Sequence, residues 1–193
     1  MALPAPALAS ARIGGAEPLL GTELPRLQLS FPQDPTVTWF LPTFGVFHNG
    51  SRHAGVDMHA PKGSPLYAAA AGVVTRLGSS PRAGEHLVID HGSGWETWYM
   101  HLDNDDPGTD DGRGGGATAF APGLAVGDFV DAGRLIGYVG DSGNAEGTVP
   151  HTHFEVHHDD VVIDPYPMLV QAQDRALLTL RAAVLADLLH RLN

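Results

Sequence analysis

The stretch from His151 to Val156 alternates polar and apolar side chains, in the order His-Thr-His-Phe-Glu-Val. Successive side chains of a β-strand point to opposite faces, so this order predicts a strand with His151, His153 and Glu155 on one face. We interpret that face either as a metal or acid–base site or as a solvated strand face. Both interpretations stay open on this stretch alone, because an H-x-H match is short.

A second polar cluster, His53 and Asp57, lies far upstream with a spacing of four residues. A helix would place both on one face, but Gly55 and the nearby Pro61 disfavour a helix here. In an extended strand both side chains again share a face, and Gly55 leaves the space between them free. Two imidazole nitrogens and one carboxylate oxygen would form a three-ligand set with an open fourth position, which is the layout of a catalytic zinc site.

Short β-strands separated by turns are predicted for most of the chain. The 193 residues suggest one domain, and 24 glycines with 15 prolines indicate many turns. Residues 86–90 and 95–102 are predicted to form a hairpin around a glycine-containing turn. The pattern predicts an all-β fold, an antiparallel sandwich or barrel. The sequence has no cysteine, which excludes disulfides and thiolate metal ligands.

Three separated motifs resemble the lysostaphin-type, LytM-like zinc metallopeptidases, in the order that this family has. They are His53-x-x-x-Asp57, Tyr99-Met100-His101-Leu102 and His151-Thr152-His153-Phe154-Glu155. The resemblance covers residues 31–168 and implies a peptidase domain with the two-sheet duplicated hybrid motif fold. It also implies an endopeptidase that cuts peptide bonds in the stems or cross-bridges of bacterial peptidoglycan, and it leaves the particular bond open.

The resemblance and the strand geometry together assign His53, Asp57 and His153 as ligands of one zinc ion per chain. Zinc would lower the pKa of its bound water to roughly 7 and polarise the substrate carbonyl. The remaining motif histidines, His101 and His151, are the predicted catalytic residues. One would take a proton from the water, and the other would stabilise the oxyanion or protonate the leaving amine. The sequence leaves open which of them is the general base.

Three residues near these motifs have two interpretations each. Tyr99 is a candidate substrate-binding residue two positions before His101, or else a packed core aromatic. Glu155 is either an outer hydrogen-bond partner of His153 or part of a plain salt bridge. His59 has the parity of a rival ligand, but Ala60-Pro61 follows and the family has no ligand there.

The segments outside the predicted core differ in composition. Residues 1–30 are expected to form a poorly ordered N-terminal arm. Residues 103–118 are acidic and glycine-rich and resemble an insertion, for which a mobile, solvated loop is favoured over a calcium site. Residues 172–192 carry leucines at helical spacing and predict an amphipathic helix. We expect it to pack on its own domain, with a dimer contact as the alternative and membrane binding disfavoured by its few basic residues.

Charge and hydropathy limit the partners. The formal charge of −11 disfavours nucleic acid, whose phosphates would repel an acidic chain. The chain has no apolar run of about 18 residues or more, as a transmembrane helix requires. The first ten residues do not form an intact signal peptide, so an extracytoplasmic location is implied only by the family resemblance.

Two other classes compete with the peptidase. A non-catalytic relative that activates another wall hydrolase typically lacks zinc ligands, whereas all three predicted ligands and both further histidines are present here. A phosphocarrier of the same fold needs a phosphohistidine but no pair such as His53 and Asp57. The zinc endopeptidase is therefore the favoured hypothesis.

Overall fold

A computed structural model describes residues 27–48 and 50–192, which form mostly antiparallel β-strands and one long C-terminal helix. The strands are β1 (Phe47–His48), β2 (Ser51–Arg52), β3 (Val56–His59), β4 (Pro65–Tyr67), β5 (Gly72–Ser80), β6 (Gly84–Gly92), β7 (Trp95–Leu102), β8 (Phe129–Val130), β9 (Leu135–Tyr138), β10 (His151–His158) and β11 (Val161–Ile163). The helices are α1 (Gly116–Ala119) and α2 (Tyr166–Arg191), with a 3-10 turn at Gly143–Ala145. Within the described residues, neither helix is long and apolar enough to cross a membrane.

Strand β10 lies next to the edge of a seven-stranded antiparallel sheet. One of its edges pairs with β7, and its other edge pairs with β3 and then with β11. The sheet continues from β7 through β6 and β5 to β8, while β1–β2 and β4–β9 form separate two-stranded sheets. The strands that carry the second and third sequence motifs, β7 and β10, are thus direct neighbours, and β3 with Asp57 lies on the other side of β10.

The prediction of a mostly β, antiparallel fold with a C-terminal helix is confirmed, although several boundaries differ. The predicted hairpin is present as β6 and β7. Helix α2 begins at Tyr166, six residues before the predicted start at residue 172. Strand β3 begins only at Val56, so His53 and Gly55 lie in the irregular segment that leads into it.

The hydrophobic core lies on the face of the sheet that carries the apolar side chains of β7 and β10. Fully buried side chains include Tyr99, Phe154, Met58, Leu87, Ile89 and Leu169. Burying a side chain of this size contributes about 1.5–3 kcal/mol, so this face supplies much of the stability of the fold.

Part of the predicted N-terminal arm contacts this core. Leu29 is 3% exposed, and the backbone amide of Ser30 donates a hydrogen bond to the carbonyl of Ala69 at 2.6 Å. The mixed composition of residues 1–30 does not reveal this contact. Residues 1–26 of the predicted arm lie outside the described part of the chain.

The acidic loop over residues 103–118 is anchored at one point by Lys62. The Nζ of Lys62 lies 2.6 Å from Asp105 Oδ2 and 2.7 Å from Asp141 Oδ1, and it also contacts Asp110. Burial acts to lower the pKa of Lys62, but its bonds to the three carboxylates outweigh burial and raise the pKa. Oxygens of Asp105, Asp110 and Glu146 lie close together, and the ammonium already neutralises two of them. The loop is therefore tied to the connection between β3 and β4.

Candidate metal centre

The structure brings His53, Asp57 and His153 together at the end of β3 and β10. His53 Nε2 lies 3.1 Å from Asp57 Oδ1 and 3.0 Å from His153 Nδ1, and the last two atoms are 2.9 Å apart. Asp57 and His153 face each other because they are direct partners in the β3–β10 register. The three predicted metal ligands thus form a triangle of donor atoms on one surface.

Gly55 allows the segment before β3 to approach β10 closely. A Cβ at this position would lie 2.3 Å from the carbonyl oxygen of Phe154 and 2.9 Å from His153 Nε2. Both distances are too short for a real side-chain carbon, so only glycine fits without a shift of the backbone. The close approach is what places His53 beside His153.

The ring nitrogens that point away from the triangle also have partners. His153 Nε2 lies 3.0 Å from Glu155 Oε1, and His53 Nδ1 lies 3.3 Å from the carbonyl oxygen of Thr43. Histidine ligands of metals usually donate their second ring N–H to a carboxylate or a carbonyl in this way. The set of two nitrogens and one oxygen suits zinc, so the residues present fit the metal that the sequence predicts.

The electrostatics of the centre favour a positive charge between its carboxylates. Burial would raise the pKa of Asp57, but the hydrogen bonds from His153 and His53 outweigh it and hold the pKa far below the ordinary range. Burial would lower the pKa of His153, yet the hydrogen bonds to Asp57 and Glu155 raise it to about 9. A positive charge between the two carboxylates therefore stabilises the site, and a bound cation would supply such a charge.

His101 and His151 lie beside the triangle with their tautomers defined by backbone carbonyls. His101 Nδ1 donates to the carbonyl of Ser142 at 2.8 Å, and His151 Nδ1 donates to the carbonyl of Val149 at 2.8 Å. A carbonyl can only accept, so each ring carries a proton on Nδ1, and Nε2 is the nitrogen left for other partners. The Nε2 of His151 lies 3.9 Å from Asp57 Oδ1.

The two rings are close to each other, with centroids 5.1 Å apart. Burial and the neighbouring His151 lower the pKa of His101 to about 4. His101 is therefore neutral near pH 7 and able to accept a proton.

The side chain of His101 reaches the cleft because its backbone leaves the regular strand conformation. Its φ of 61° lies in the left-handed region, which non-glycine residues seldom adopt. Without this rotation, the alternation along β7 would point His101 to the same face as Tyr99.

Tyr99 lies in the core and does not contact the cleft, which contradicts its candidacy as a substrate-binding residue. It is fully buried, its ring packs against Phe154 with centroids 5.2 Å apart, and its hydroxyl accepts a hydrogen bond from the amide of Ala69 at 2.8 Å. The physical reason is the register, which pairs Tyr99 with Phe154 on the apolar face. Their two-residue spacing predicts that Tyr99 and His101 share one face of the strand. The left-handed φ of His101 turns its side chain to the other face.

A cleft of about 580 Å³ contains the triangle and the two further histidines. Sequence reasoning missed several residues of its walls, among them Trp98, Met100, Arg52 and Arg82. The ring of Trp98 stacks on His157 at 4.8 Å and lies 4.9 Å from the guanidinium of Arg76. The pairing of Met100 with His153 and of Trp98 with Glu155 places these side chains on the site face, and only the register reveals it. His59 lies beside His151, with ring centroids 5.2 Å apart, and its ring stacks on Trp39 with centroids 4.0 Å apart.

Comparisons with known proteins agree with this architecture. The model of peptidase family M23 matches residues 51–110, which include His53, Asp57 and His101. The DD-carboxypeptidase/endopeptidase Mpg of Neisseria meningitidis is 33% identical over 137 residues, which cover 68% of this chain and 27% of that protein. The peptidoglycan DD-endopeptidase ShyB of Vibrio cholerae is 34% identical over 106 residues, or 54% of this chain and 20% of that protein.

A solved structure supports the same relationship. The crystal structure of a zinc-containing peptidase from Vibrio cholerae has a TM-score of 0.54 and 27% identity, covering 71% of this chain and 39% of that one. By sequence match and by fold, this chain belongs to peptidase family M23. It spans about a quarter of the length of the curated relatives it matches.

Proposed function

We propose that this chain is a zinc-dependent endopeptidase that hydrolyses peptide bonds in bacterial peptidoglycan stems or cross-bridges. The observation that carries the proposal is the triangle of His53, Asp57 and His153 donor atoms at 2.9–3.1 Å, with His101 and His151 beside it in one cleft. The relatives whose names describe peptidoglycan and DD-peptide hydrolysis support the substrate class.

In this proposal His53, Asp57 and His153 hold one zinc ion per chain. Zinc, when bound, supplies a Lewis acid that acidifies water and polarises a carbonyl group. Glu155 and the Thr43 carbonyl orient the two imidazoles through their outer nitrogens.

His101 and His151 present their Nε2 atoms to the reacting groups. The histidine that acts as general base accepts the proton of the attacking water at Nε2. The other must carry a proton on Nε2, through which it hydrogen-bonds to the oxyanion or protonates the leaving amine. Their Nδ1–H bonds to backbone carbonyls hold both rings in orientation during these transfers.

The proposal also covers the bounds of the domain, the arrangement of its sheets and the location of the protein. Residues 31–168 are taken as the peptidase domain, with the sheets arranged as the two-sheet sandwich or barrel of the duplicated hybrid motif. The location is taken as extracytoplasmic, in the cell envelope or secreted, because the substrate is there. The core contact of Leu29 favours starting the folded unit a few residues before Phe31.

Digestion of purified peptidoglycan tests the proposal. Sacculi with direct D-alanine cross-links and sacculi with glycine bridges are incubated with the protein, and the products are identified by mass spectrometry. We expect new peptide termini from at least one preparation, loss of cleavage with a chelator and recovery with zinc.

Matched variants make the test specific. Asp57→Asn should hold no zinc and release no peptides, whereas Asp131→Asn, in an exposed turn, should behave like the wild type. A zinc-loaded wild-type protein that leaves every preparation uncut would contradict the endopeptidase proposal and favour a non-catalytic relative.

A further inference from the structure

The C-terminal part of helix α2 extends beyond the core. Of its 26 residues, Leu169 and Ala172 are buried, and both lie in the first two turns. From Leu178 to Leu192 every side chain is exposed. Our expectation that the predicted helix packs on its own domain is therefore wrong for this part, because the core ends before the helix does.

Seven large apolar side chains are exposed between Leu178 and Leu192. At about 100° per residue, five of them fall within an arc of about 120°, and Leu180 and Leu189 extend this arc to about 180°. We call the five residues of the narrower arc the C-terminal stripe: Leu178, Val184, Leu185, Leu188 and Leu192, which are 62%, 61%, 58%, 52% and 82% exposed. The stripe is centred roughly 150° around the axis from the buried side of the first turns, so it does not continue the core-facing side.

The exposed stripe gains no packing from its own domain. In proteins most helical stability comes from tertiary packing of an apolar face, and contiguous exposed apolar patches mark interaction sites. Helix α2, at 26 residues, is long enough but not apolar enough to cross a membrane. We therefore expect the stripe to pack against another apolar surface in solution.

We propose that the C-terminal stripe is the interface with a second copy of this chain, formed by two antiparallel α2 helices about a twofold axis at Leu185. Leu178, Leu185 and Leu192 are spaced seven residues apart, as in one position of a heptad. In the antiparallel pair Leu185 meets Leu185 of the partner subunit, and Leu178 meets Leu192 of the partner subunit. These two kinds of layer are apolar on both sides, whereas Arg181 meets Leu189 of the partner subunit. The same patch serves both chains.

The charges favour the antiparallel arrangement over the parallel one. Arg181 lies within the arc of the stripe, so a parallel pair would place two guanidinium groups side by side. The antiparallel pair separates them by about 12 Å along the axis. It also places the two acidic bodies, each part of a chain with net charge −11, at opposite ends of the paired segment. That segment is roughly 20 Å long, which exceeds the screening length of about 8 Å at physiological salt.

The area is sufficient for a stable contact. The five stripe residues leave on the order of 500 Å² per chain to be covered, which gives roughly 1,000 Å² for the pair. Biological interfaces begin at about this size.

Cysteine cross-linking tests the geometry, since the natural sequence has no cysteine. Disulfides need Cα atoms within about 7 Å, so we expect Leu185→Cys to form covalent dimers under mild oxidation. Leu178→Cys alone should not, because its two copies lie roughly 21 Å apart in the antiparallel pair. A mixture of Leu178→Cys and Leu192→Cys should give the heterodimer, which mass spectrometry identifies. Ala183→Cys, on the opposite side of the helix, serves as the control that stays monomeric.

Sedimentation across a concentration series tests the association itself. The wild type should approach twice the chain mass, Leu185→Glu should remain a monomer, and Ala183→Glu should dimerise like the wild type. Circular dichroism confirms that the variants fold, which is expected because all the changed positions are exposed. A wild type that stays monomeric throughout overturns the proposal, and self-cross-linking of Leu178→Cys overturns the antiparallel geometry.

Discussion

His101 is held in a left-handed backbone conformation, and this affects the choice of a variant that tests its role. Alanine at a φ of 61° would add strain of roughly 1–2 kcal/mol, whereas asparagine tolerates this region. We predict that His101→Asn keeps its zinc and loses about 10²–10⁴-fold in peptidoglycan hydrolysis, as expected for a positioned acid or base. Zinc content by elemental analysis and hydrolysis are measured on the same batches.

His86→Asn is the matched control for this experiment, because His86 contacts its own strand at the Gly84 carbonyl. It should retain both zinc and activity. His151→Ala should behave like His101→Asn. If His101→Asn lost zinc while His53→Ala kept it, the division between ligands and catalytic histidines would be wrong.

Gly55 is predicted to be as important for metal binding as the ligands themselves, although it donates no atom. The Cβ of Gly55→Ala would meet the Phe154 carbonyl at 2.3 Å and push the segment carrying His53 away from β10. Such overpacking costs about 1–3 kcal/mol. We expect lower zinc occupancy and a lower unfolding temperature, measured by elemental analysis and thermal denaturation. Gly78→Ala, whose Cβ would meet its nearest neighbour at 3.4 Å, should change neither quantity.

At the scale of elements, the acidic loop depends on Lys62, the only lysine of the sequence. Lys62→Met would leave Asp105 and Asp141, whose side chains are 3% exposed, without their cation. Breaking a buried ion pair by removing one partner costs about 3–5 kcal/mol, and partial exposure of Lys62 places the expected loss near 3 kcal/mol. Urea denaturation at pH 7 measures it, with Arg113→Met in the same loop as the control. An unchanged free energy of unfolding would show that the anchor is not stabilising.

The same anchor predicts a dependence on acid. Burial would raise the pKa of Asp105, but its bonds with Lys62 and the loop amides lower it below the ordinary value. A carboxyl with a lowered folded-state pKa contributes stability that is complete above its unfolded pKa of about 4 and is lost as pH falls through the folded value. We therefore expect the unfolding free energy to fall below about pH 4, and hydrogen exchange of the loop amides to accelerate in the same range.

At the scale of the whole molecule, the folded unit is predicted to begin just before Phe31. Deleting residues 1–25 should preserve zinc binding and cooperative unfolding, because the described contacts with the core begin later. Extending the deletion through Ser30 removes Leu29, and losing a buried leucine costs about 2–5 kcal/mol. Zinc content and thermal unfolding, measured on both truncated proteins, test these expectations. Loss of cooperative unfolding in the shorter deletion would place part of residues 1–25 in the core.

The sequence by itself determined the features that depend on neighbouring residues. The alternation from His151 to Val156 predicted strand β10 and its two faces, because side chains of a strand alternate whatever it pairs with. Leucine spacing predicted a C-terminal helix for the same local reason. The motifs around His53, Asp57 and His153 identified the donor atoms of the candidate site through their chemistry.

Only the tertiary structure decided the features that depend on pairing between distant segments. The register of β7 against β10 buried Tyr99 beside Phe154 and turned Trp98 towards the cleft. The left-handed φ of His101 reversed the face that alternation assigns to it. Where α2 leaves the core depends on how far the domain extends, which no helical pattern encodes. Contacts across the sheet set register and the limits of the core, and their partners lie far apart in the sequence, so spacing along the chain does not reveal them.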